Sequence, residues 1–308
     1  MNAQKDISAR AWLEMLLLAA IWGGIFLATR LALNEVGVLT SVAHRTFWAA
    51  LILWAVVAIL GLRVPRDAGF FSACLIMGIV NNAIPFSLLN WSQLHIESGL
   101  ASILNGSTAI FGVLVAALVF SDERLTARKL IGVSVGFLGV ATAIGLQNLL
   151  NFNLRSIAQL AVLGGALSYA LAGAWARKKL GHLPAQVSAA GMLTASALIT
   201  VPAAWVIDGP FIFALAPVTI GALTYMSVIG TALAFLLYYR VLSMAGSGNL
   251  MLVTLLIPPF AILLGALFLG ELLHPRALAG FGFLAVGLLI LDGRIERRLR
   301  GRSGANKV

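Results

Sequence analysis

The chain has 308 residues, of which 60% are hydrophobic and 10% charged, with a mean hydropathy of +0.99 and a formal net charge of +10. Soluble domains carry about 25% charged residues, so this composition excludes a soluble globular domain and predicts a membrane protein. The excess of basic residues would suit a nucleic-acid partner, but the positions of the charges along the chain argue against one.

Ten apolar runs, separated by polar residues, Pro or Gly, predict ten transmembrane helices. They cover residues 12–34, 39–60, 69–91, 98–119, 128–146, 156–177, 185–207, 217–240, 246–269 and 275–292. The first run follows Lys5 and Arg10 but is long and lacks a small-x-small cleavage site, so we interpret it as a retained span. An open strand cannot satisfy its backbone in hydrocarbon, so every span is expected to be helical.

Lys and Arg residues are distributed unequally between the predicted connections. If the N-terminus is cytoplasmic, 17 of the 21 fall on the cytoplasmic side, while Arg30, Arg155 and Arg276 fall on the other and Arg45 lies within the second span. This positive-inside pattern predicts that both termini are cytoplasmic. The basic residues at 294–302 would then lie beside the membrane, where they can bind anionic lipid. Charges placed in this way leave no role for nucleic acid.

Residues 120–145 recur 148 positions later in the chain. The matching pairs are Phe120/Phe268, Glu123/Glu271, Leu125/Leu273, Arg128/Arg276, Leu130/Leu278, Gly132/Gly280, Gly139/Gly287 and Gly145/Gly293. Each copy has an apolar run, a short polar break containing a Glu, and a second apolar run rich in Gly. Five spans per copy is an odd number, so the two copies must insert in opposite orientations.

The sequence therefore predicts an all-α membrane protein with ten transmembrane helices in two inverted five-helix repeats around a central cavity. The first repeat is placed at residues 1–147 and the second, with the basic tail, at 148–308. Inverted repeats of this kind are typical of secondary transporters, whose substrate site lies between the repeats near the middle of the membrane.

These features resemble the drug/metabolite transporter superfamily, in its ten-helix branch with paired EamA-type repeats. The motifs "SDERLT" at 121–126 and "LGELLH" at 269–274 carry the resemblance, together with "HRTFWAAL" at 44–51 and "AAIWGGIFLATRLAL" at 19–33. The third of these is similar to the family's second-helix Arg motif and the fourth to its first helix. The chain looks most like the bacterial aromatic amino-acid exporters. This resemblance implies a protein of the bacterial inner membrane that exports amino acids, or similar small amphipathic metabolites, by alternating access.

Ionisable residues are nearly absent from the middle of the predicted spans. Only His44 and Arg45 lie somewhat inside, and we interpret Arg45 as an anchor that extends to the surface or pairs with an acid such as Glu271. Glu123 and Glu271 are interpreted as helix caps or loop anchors. Because no relay of buried carboxylates is visible, movement of substrate down its gradient is favoured over proton coupling.

Neutral polar and aromatic residues supply the candidate substrate site. An aromatic amino acid needs apolar or aromatic walls, with donors and acceptors for its ammonium and carboxylate groups. The candidate substrate-binding residues are Trp22, Phe26, Asn81, Asn82, Phe86, Asn105, Tyr169, Trp175 and Thr231. For each Asn, hydrogen bonding between helices is the alternative role. With no charge expected at mid-depth, the substrate affinity should be low.

Proline residues near the middle of two spans mark a further open point. Pro85 in the third span and the pair Pro258–Pro259 in the ninth remove backbone donors and free carbonyl groups. Helix packing is one account of these residues, and a kink used for gating is the other.

Two alternatives to an amino-acid exporter remain open at this stage. The first is a drug or other metabolite exporter of the same superfamily, and the second is a non-transporting membrane scaffold or an intramembrane enzyme. The sequence contains no HExxH, GxSxG or CxxC motif, so no catalytic residue, cofactor or metal site is predicted. The expected partners are a small-molecule substrate and membrane lipid, and no oligomeric state is predicted.

Overall fold

The computed structural model describes residues 8–121, 125–145, 154–212, 214–245 and 253–292, and all secondary structure in them is helical. The ten helices are α1 (Ala9–Ala32), α2 (Val38–Ile59), α3 (Ala68–Ser92), α4 (Ser98–Val119), α5 (Ala127–Ile144), α6 (Leu154–Lys179), α7 (Ala185–Ile207), α8 (217–245), α9 (Val253–Leu269) and α10 (Pro275–Asp292). The first eight contain stretches long and apolar enough to cross a membrane, and α9 and α10 are shorter apolar helices. The prediction of an all-helical membrane protein with ten spans is confirmed.

Polar capping residues set where several of these helices begin. The side chain of Ser8 accepts a hydrogen bond from the backbone N–H of Ala11, and Asp67 does the same for Phe70. Thr126 caps α5 in this way. A cap of this type stabilises a helix start by about 1 kcal/mol, so these ends are encoded locally. The basic residues at 294–302 lie outside the described residues, and their binding to lipid stays a prediction.

The ends of several helices meet at one face of the bundle, which we call the second face; the opposite face, where α1 begins, is the first face. The described residues at the second face are the connections α1–α2, α3–α4 and α9–α10, the described part of α7–α8, and the start of α6. Four carboxylate contacts join them: Glu35 with the backbone N–H of Ala216 (2.9 Å), Asp208 with that of Thr40 (2.7 Å), Glu97 with Arg155 (2.7 Å) and Glu271 with the N–H of Ser98 (2.9 Å). Successive helices therefore cross the bundle in opposite directions.

Helices α5 and α10 close the two halves, α1–α5 and α6–α10, and they pack against each other through glycine. A Cβ atom at Gly139 would lie 2.7 Å from the carbonyl oxygen of Gly280, and one at Gly132 would lie 2.9 Å from that of Gly287. The earlier glycine of α5 thus meets the later glycine of α10, so the helices are antiparallel. Exchanging the halves by the shift of 148 converts each contact into the other, as the twofold axis of inverted repeats requires.

The remaining helix pairs follow the same exchange. Helix α2 packs against α7, α1 against α9, and α6 against α4. Exchange of the halves turns α1 into α6 and α9 into α4, so the α1–α9 pair becomes the α6–α4 pair. It turns α2 into α7, so the α2–α7 pair is unchanged. The predicted repeat boundary at 147/148 falls outside the described residues and stays a prediction.

The third helix of each half contains a π-helical segment near its middle. In α3 it is Gly78–Ala83, and in α8 it is Tyr225–Leu233. A shift of 148 places the first segment at 226–231, inside the second. Such segments widen the helix locally and occur frequently at functional sites. Pro85 is the second residue of the α-helical segment Ile84–Ser92 that follows the first π-helical segment, and its missing N–H leaves a carbonyl of that segment without this donor.

The double proline of α9 lies where α1 packs most closely against that helix. A Cβ atom at Gly23 of α1 would lie 2.6 Å from the Cβ of Phe260 and 3.2 Å from the carbonyl oxygen of Ile257. Only glycine allows this close approach of α1 to the turn of α9 that contains Pro258 and Pro259. The contact supports the packing account of these prolines.

Candidate functional site

Helices α2 and α3 present matching faces to each other in the half of the bundle nearer the second face. Residues four apart lie on the same side of a helix. Ser41 is therefore one turn nearer the second face than Arg45 on α2, and Asn90 is one turn nearer that face than Phe86 on α3. The side-chain amide of Asn90 donates to the Ser41 hydroxyl at 3.2 Å. One turn deeper, the guanidinium of Arg45 lies 3.7 Å from the centre of the Phe86 ring. This stacked arrangement is a cation–π contact that fixes the plane of the guanidinium.

The second half of the chain holds Arg45 from another direction. The Nε–H of Arg45 donates to the hydroxyl of Thr231 at 2.8 Å. Thr231 belongs to the π-helical segment of α8 and donates in turn to the carbonyl oxygen of Met226, five residues earlier, at 2.8 Å. The π-helical segment therefore orients the hydroxyl that orients Arg45.

Helix α6 supplies an aromatic ring next to this stack. The rings of Tyr169 and Phe86 have their centres 6.4 Å apart and are tilted by 59°. The preceding residue, Ser168, donates to the carbonyl oxygen of Val80 within the π-helical segment of α3, at 2.6 Å. A carbonyl of the irregular segment is thereby satisfied, and α6 is fixed against α3 at the level of the two rings.

The Asn residues at mid-depth bring unused hydrogen-bonding capacity. Asn82, one turn from Phe86 and fully buried, accepts a hydrogen bond from Asn81 at 3.3 Å, but its own amide nitrogen has no acceptor in the described residues. The side-chain oxygen of Asn105 is likewise buried without a donor in that part of the chain. A buried polar atom left unpaired costs about 1–3 kcal/mol, which a polar ligand could offset.

Three of the predicted site residues lie apart from this group. The ring of Trp22 is 5.9 Å from that of Tyr238, and Phe26 is buried in the main apolar core. The indole N–H of Trp175 donates to the carbonyl oxygen of Ala73 at 3.3 Å, between α6 and α3 on the first-face side. The structure thus brings together Phe86, Tyr169 and Thr231 with Asn82 one turn away, while Trp22, Phe26 and Trp175 contact other neighbours.

The interpretation of Arg45 as an anchor that reaches the surface or pairs with Glu271 is wrong. Arg45 is the eighth residue of α2, about 10 Å along the helix axis from its start, and its side chain turns inward to Phe86 and Thr231. Its position along the helix agrees with the predicted span, whereas the inward direction of its side chain differs from the interpretation. The available signal was the motif "HRTFWAAL", whose Arg the hydropathy pattern alone placed near the end of a span.

Glu271 has the other role predicted for it. Its carboxylate accepts hydrogen bonds from the backbone N–H and the hydroxyl of Ser98, at 2.9 and 2.6 Å, and from the N–H of Gly99 at 3.4 Å. Because these are the first residues of α4, Glu271 is a helix cap supplied by a distant segment. Glu123, its counterpart in the first half, lies outside the described residues.

The residues gathered around Phe86 have a definite chemical capacity. Two aromatic rings supply apolar surface, a guanidinium adds a positive charge, and the Asn82 amide adds a donor that has no acceptor in the described residues. Together they suit a small amphipathic molecule with a flat apolar part and an acceptor-rich end. No cluster of three or more His, Cys, Asp or Glu side chains that could hold a metal ion is found in the described ranges.

Comparison with known protein families gives a match in each half of the chain. A model of the EamA-like transporter family matches residues 10–145 and again residues 156–291. The two matches together span most of the chain, and each covers the five helices of one half.

Named relatives of similar length have related descriptions. The chain is 26% identical over 302 residues to the probable terminal-alkyne amino-acid exporter of Streptantibioticus cattleyicolor, covering 96% of this chain and 98% of that protein. It is 25% identical over 295 residues to an uncharacterized transporter of Archaeoglobus fulgidus, with 92% and 98% covered. It is 26% identical over 214 residues to the probable amino-acid metabolite efflux pump of Salmonella typhimurium, with 66% and 71% covered.

One solved crystal structure has the same overall arrangement. It superposes with a TM-score of 0.68 at 17% sequence identity and covers 94% of this chain and 99% of the other. At this level of identity the likeness shows the fold alone.

Proposed function

Because the chain belongs to the EamA-like transporter family and is a multi-pass membrane transporter, we propose that it exports amino acids, with a preference for aromatic ones, across the bacterial inner membrane. The substrate binds beside Phe86, Tyr169 and Asn82, and it is released after the two halves of the bundle change their relative positions. The proposal assigns transport and no catalytic step.

The observation that carries the proposal is the composition of the group around Phe86. Its members come from α2, α3, α6 and α8, so both halves contact the same small volume. The paired rings match a planar aromatic side chain in size and polarity, while the neighbouring charge and amide match the polar end of an amino acid. A group that served only helix packing would not need a guanidinium in hydrocarbon.

The names of two relatives support the same substrate class. The proteins of Streptantibioticus cattleyicolor and Salmonella typhimurium are named for amino-acid or amino-acid-metabolite export. At 26% identity the residues that select a side chain can differ between such proteins. The preference for aromatic substrates is therefore supported by Phe86 and Tyr169 and not by the relatives' names.

Counterflow in liposomes tests the proposal. Vesicles containing the purified chain and loaded with unlabelled phenylalanine should accumulate labelled phenylalanine, tyrosine and tryptophan more rapidly than labelled alanine or lysine. Accumulation of none of the amino acids, with retained uptake of aromatic drugs or other metabolites, would move the chain to another substrate class of the same family. Vesicles that accumulate no compound of any class would contradict transport by this site.

A pair of matched variants ties the flux to the site. Phe86→Ala removes one wall and should reduce phenylalanine counterflow at least tenfold, since burial of an aromatic surface contributes about 1.5–3 kcal/mol. Phe47→Ala removes the same side chain from the outward surface of α2, where Phe47 is 43% exposed, and should leave the flux near normal. Thermal unfolding of both purified variants checks that the Phe86→Ala effect is not loss of the fold. Equal effects of the two substitutions would contradict the site.

A further inference from the structure

We propose that Arg45 is the receptor for the carboxylate of the substrate, so that the ligands of this site are small aromatic carboxylates, amino acids among them. The inference rests on the proposed function for the location of the site, and it adds the chemical group that the substrate must carry. It also assigns Thr231 and Phe86 the task of holding the receptor in position before the substrate arrives.

The hydrogen-bonding capacity of Arg45 is largely unused. A guanidinium has five N–H donors, and in this protein the Nε–H donates to Thr231 while the flat face lies over Phe86. In the described part of the chain, the four N–H groups of the two terminal nitrogens have no acceptor, and Arg45 forms no ion pair with a carboxylate. Arg45 as a whole is partly exposed.

The carboxylates of the described residues are engaged by groups other than Arg45. Those in the described ranges each have another partner: Glu14 with Arg240 and Arg10, Glu35 with the N–H of Ala216, Asp67 with that of Phe70, Glu97 with Arg155, Asp208 with that of Thr40, and Glu271 with Ser98. The side chain of Asp292 is not described. A positive charge that faces the interior of a membrane protein without a resident counter-ion is typical of a binding residue.

The orientation of the guanidinium decides which group it can bind. Thr231 occupies the Nε edge, and Phe86 covers one face, so the edge formed by the two terminal nitrogens remains free. That edge presents two parallel N–H donors, a geometry that matches the two oxygens of a carboxylate. A substrate bound there by its carboxylate has the rings of Phe86 and Tyr169 beside it, 6.4 Å apart, to contact its aromatic part.

Equilibrium binding with three related probes tests the inference. Phenylalanine carries both a carboxylate and an ammonium, phenylacetate only the carboxylate, and phenethylamine only the ammonium. Binding of each labelled probe is measured on the full-length purified chain by scintillation proximity, which avoids the passive leak of amines through vesicles. Arg45→Gln is expected to lower the binding affinity for phenylalanine and phenylacetate by about 10- to 100-fold, because a charged bidentate contact is lost. The affinity for phenethylamine should change by less than about twofold.

Two further variants keep the result interpretable. Arg45→Lys keeps the charge but loses the planar fork, so it should retain part of the preference for carboxylates and also serves if Arg45→Gln does not fold. Arg30→Gln is the matched control, because Arg30 donates to the carbonyl oxygen of Gln93 near the second face and lies outside the site. Its ratio of phenylacetate to phenethylamine binding should equal that of the unsubstituted chain.

The outcomes separate this inference from the proposed function. If Arg45→Gln weakens all three probes equally while its thermal unfolding is unchanged, Arg45 is not a carboxylate receptor and the inference is overturned. If the unsubstituted chain binds phenylacetate in an Arg45-dependent manner but transports no amino acid, the proposed substrate class fails and the carboxylate receptor stands. If the chain transports amino acids but binds phenethylamine and phenylacetate equally, the carboxylate receptor fails and the proposed function stands.

Discussion

At the scale of single residues, Thr231 shows how one hydroxyl serves two purposes. It accepts the Nε–H of Arg45 and donates to the carbonyl oxygen of Met226, so its rotamer is fixed from both sides. It is also almost completely buried, at 1% exposure. Valine has nearly the same shape as threonine but can neither accept nor donate a hydrogen bond. Replacing Thr231 by valine therefore removes both hydrogen bonds with little change in volume.

Thr231→Val should therefore weaken binding of phenylalanine while Arg45 itself is retained. Because this hydrogen bond is already present without substrate, its loss lowers the affinity through the cost of ordering the guanidinium on binding, about 0.5–1.5 kcal/mol, so a decrease of about two- to tenfold is expected. The control Thr142→Val removes a hydroxyl that bonds only to the carbonyl of Leu138 on an exposed surface of α5. Labelled phenylalanine binding and thermal unfolding are compared on both proteins, and a normal affinity for Thr231→Val would remove Thr231 from the site.

At the scale of helices, the contact between α5 and α10 depends on glycines that leave no room for a side chain. A Cβ at Gly280 would lie 2.5 Å from the backbone nitrogen of Ala143 and 2.6 Å from the carbonyl oxygen of Gly139. Backbone atoms cannot move aside as a flexible side chain can, so any larger residue must separate the two helices. Small residues at such crossings are how membrane helices pack without a hydrophobic driving force.

A pair of substitutions within α10 tests this crossing. Gly280→Ala should lower the thermal stability of the purified chain by about 1–3 kcal/mol, because it overfills a closed contact. Gly282→Ala, two residues further, meets no atom within 4 Å and should be neutral or slightly stabilising, since alanine favours helix over glycine by about 1 kcal/mol. Similar melting curves for the two variants would show that the helices are free to adjust.

The sequence predicted helices better than it predicted side-chain contacts, and the reason is physical. An apolar run must be a helix wherever it lies in a membrane, so the span 185–207 was predicted with the same ends that α7 has. The sequence does not predict the π-helical segments. Hydrogen bonds between residues five apart instead of four apart leave the hydropathy of Gly78–Ala83 unchanged, so the pattern carries no signal for them. The Arg45 stack was missed because its partners, Phe86 and Thr231, lie 41 and 186 positions away in the chain.

The aromatic residues illustrate the same limit. Trp175 and Tyr169 lie on the same helix and within the same span, and both were candidate site residues. Rotation about the helix axis separates them: Tyr169 lies beside Phe86, whereas Trp175 bonds to the backbone of Ala73. Composition indicates that a span carries aromatic residues, but the direction each one faces depends on neighbouring helices.

At the scale of the whole molecule, the charge asymmetry predicts the orientation in the membrane. Reporters fused after residue 308 or placed within 61–68 should be cytoplasmic, and one placed at 147–154 should be external, so the second face is external. Measurement of alkaline phosphatase and fluorescent-protein activity at each position checks this orientation. An external C-terminus would overturn the positive-inside argument and reverse the direction assigned to transport.

The four carboxylate contacts of the second face have one further property in common. Each joins a residue of the first half to a residue of the second: Glu35 to Ala216, Thr40 to Asp208, Glu97 to Arg155 and Ser98 to Glu271. In this conformation the second face is therefore a junction between the two halves, and a motion that separates the halves at this face must break all four contacts. Each contact includes a charged carboxylate, for which about 1.5–3 kcal/mol is typical, and less where the released groups become hydrated. A ligand can shift the population between the joined and the separated conformation only by as much as its affinity for the two conformations differs.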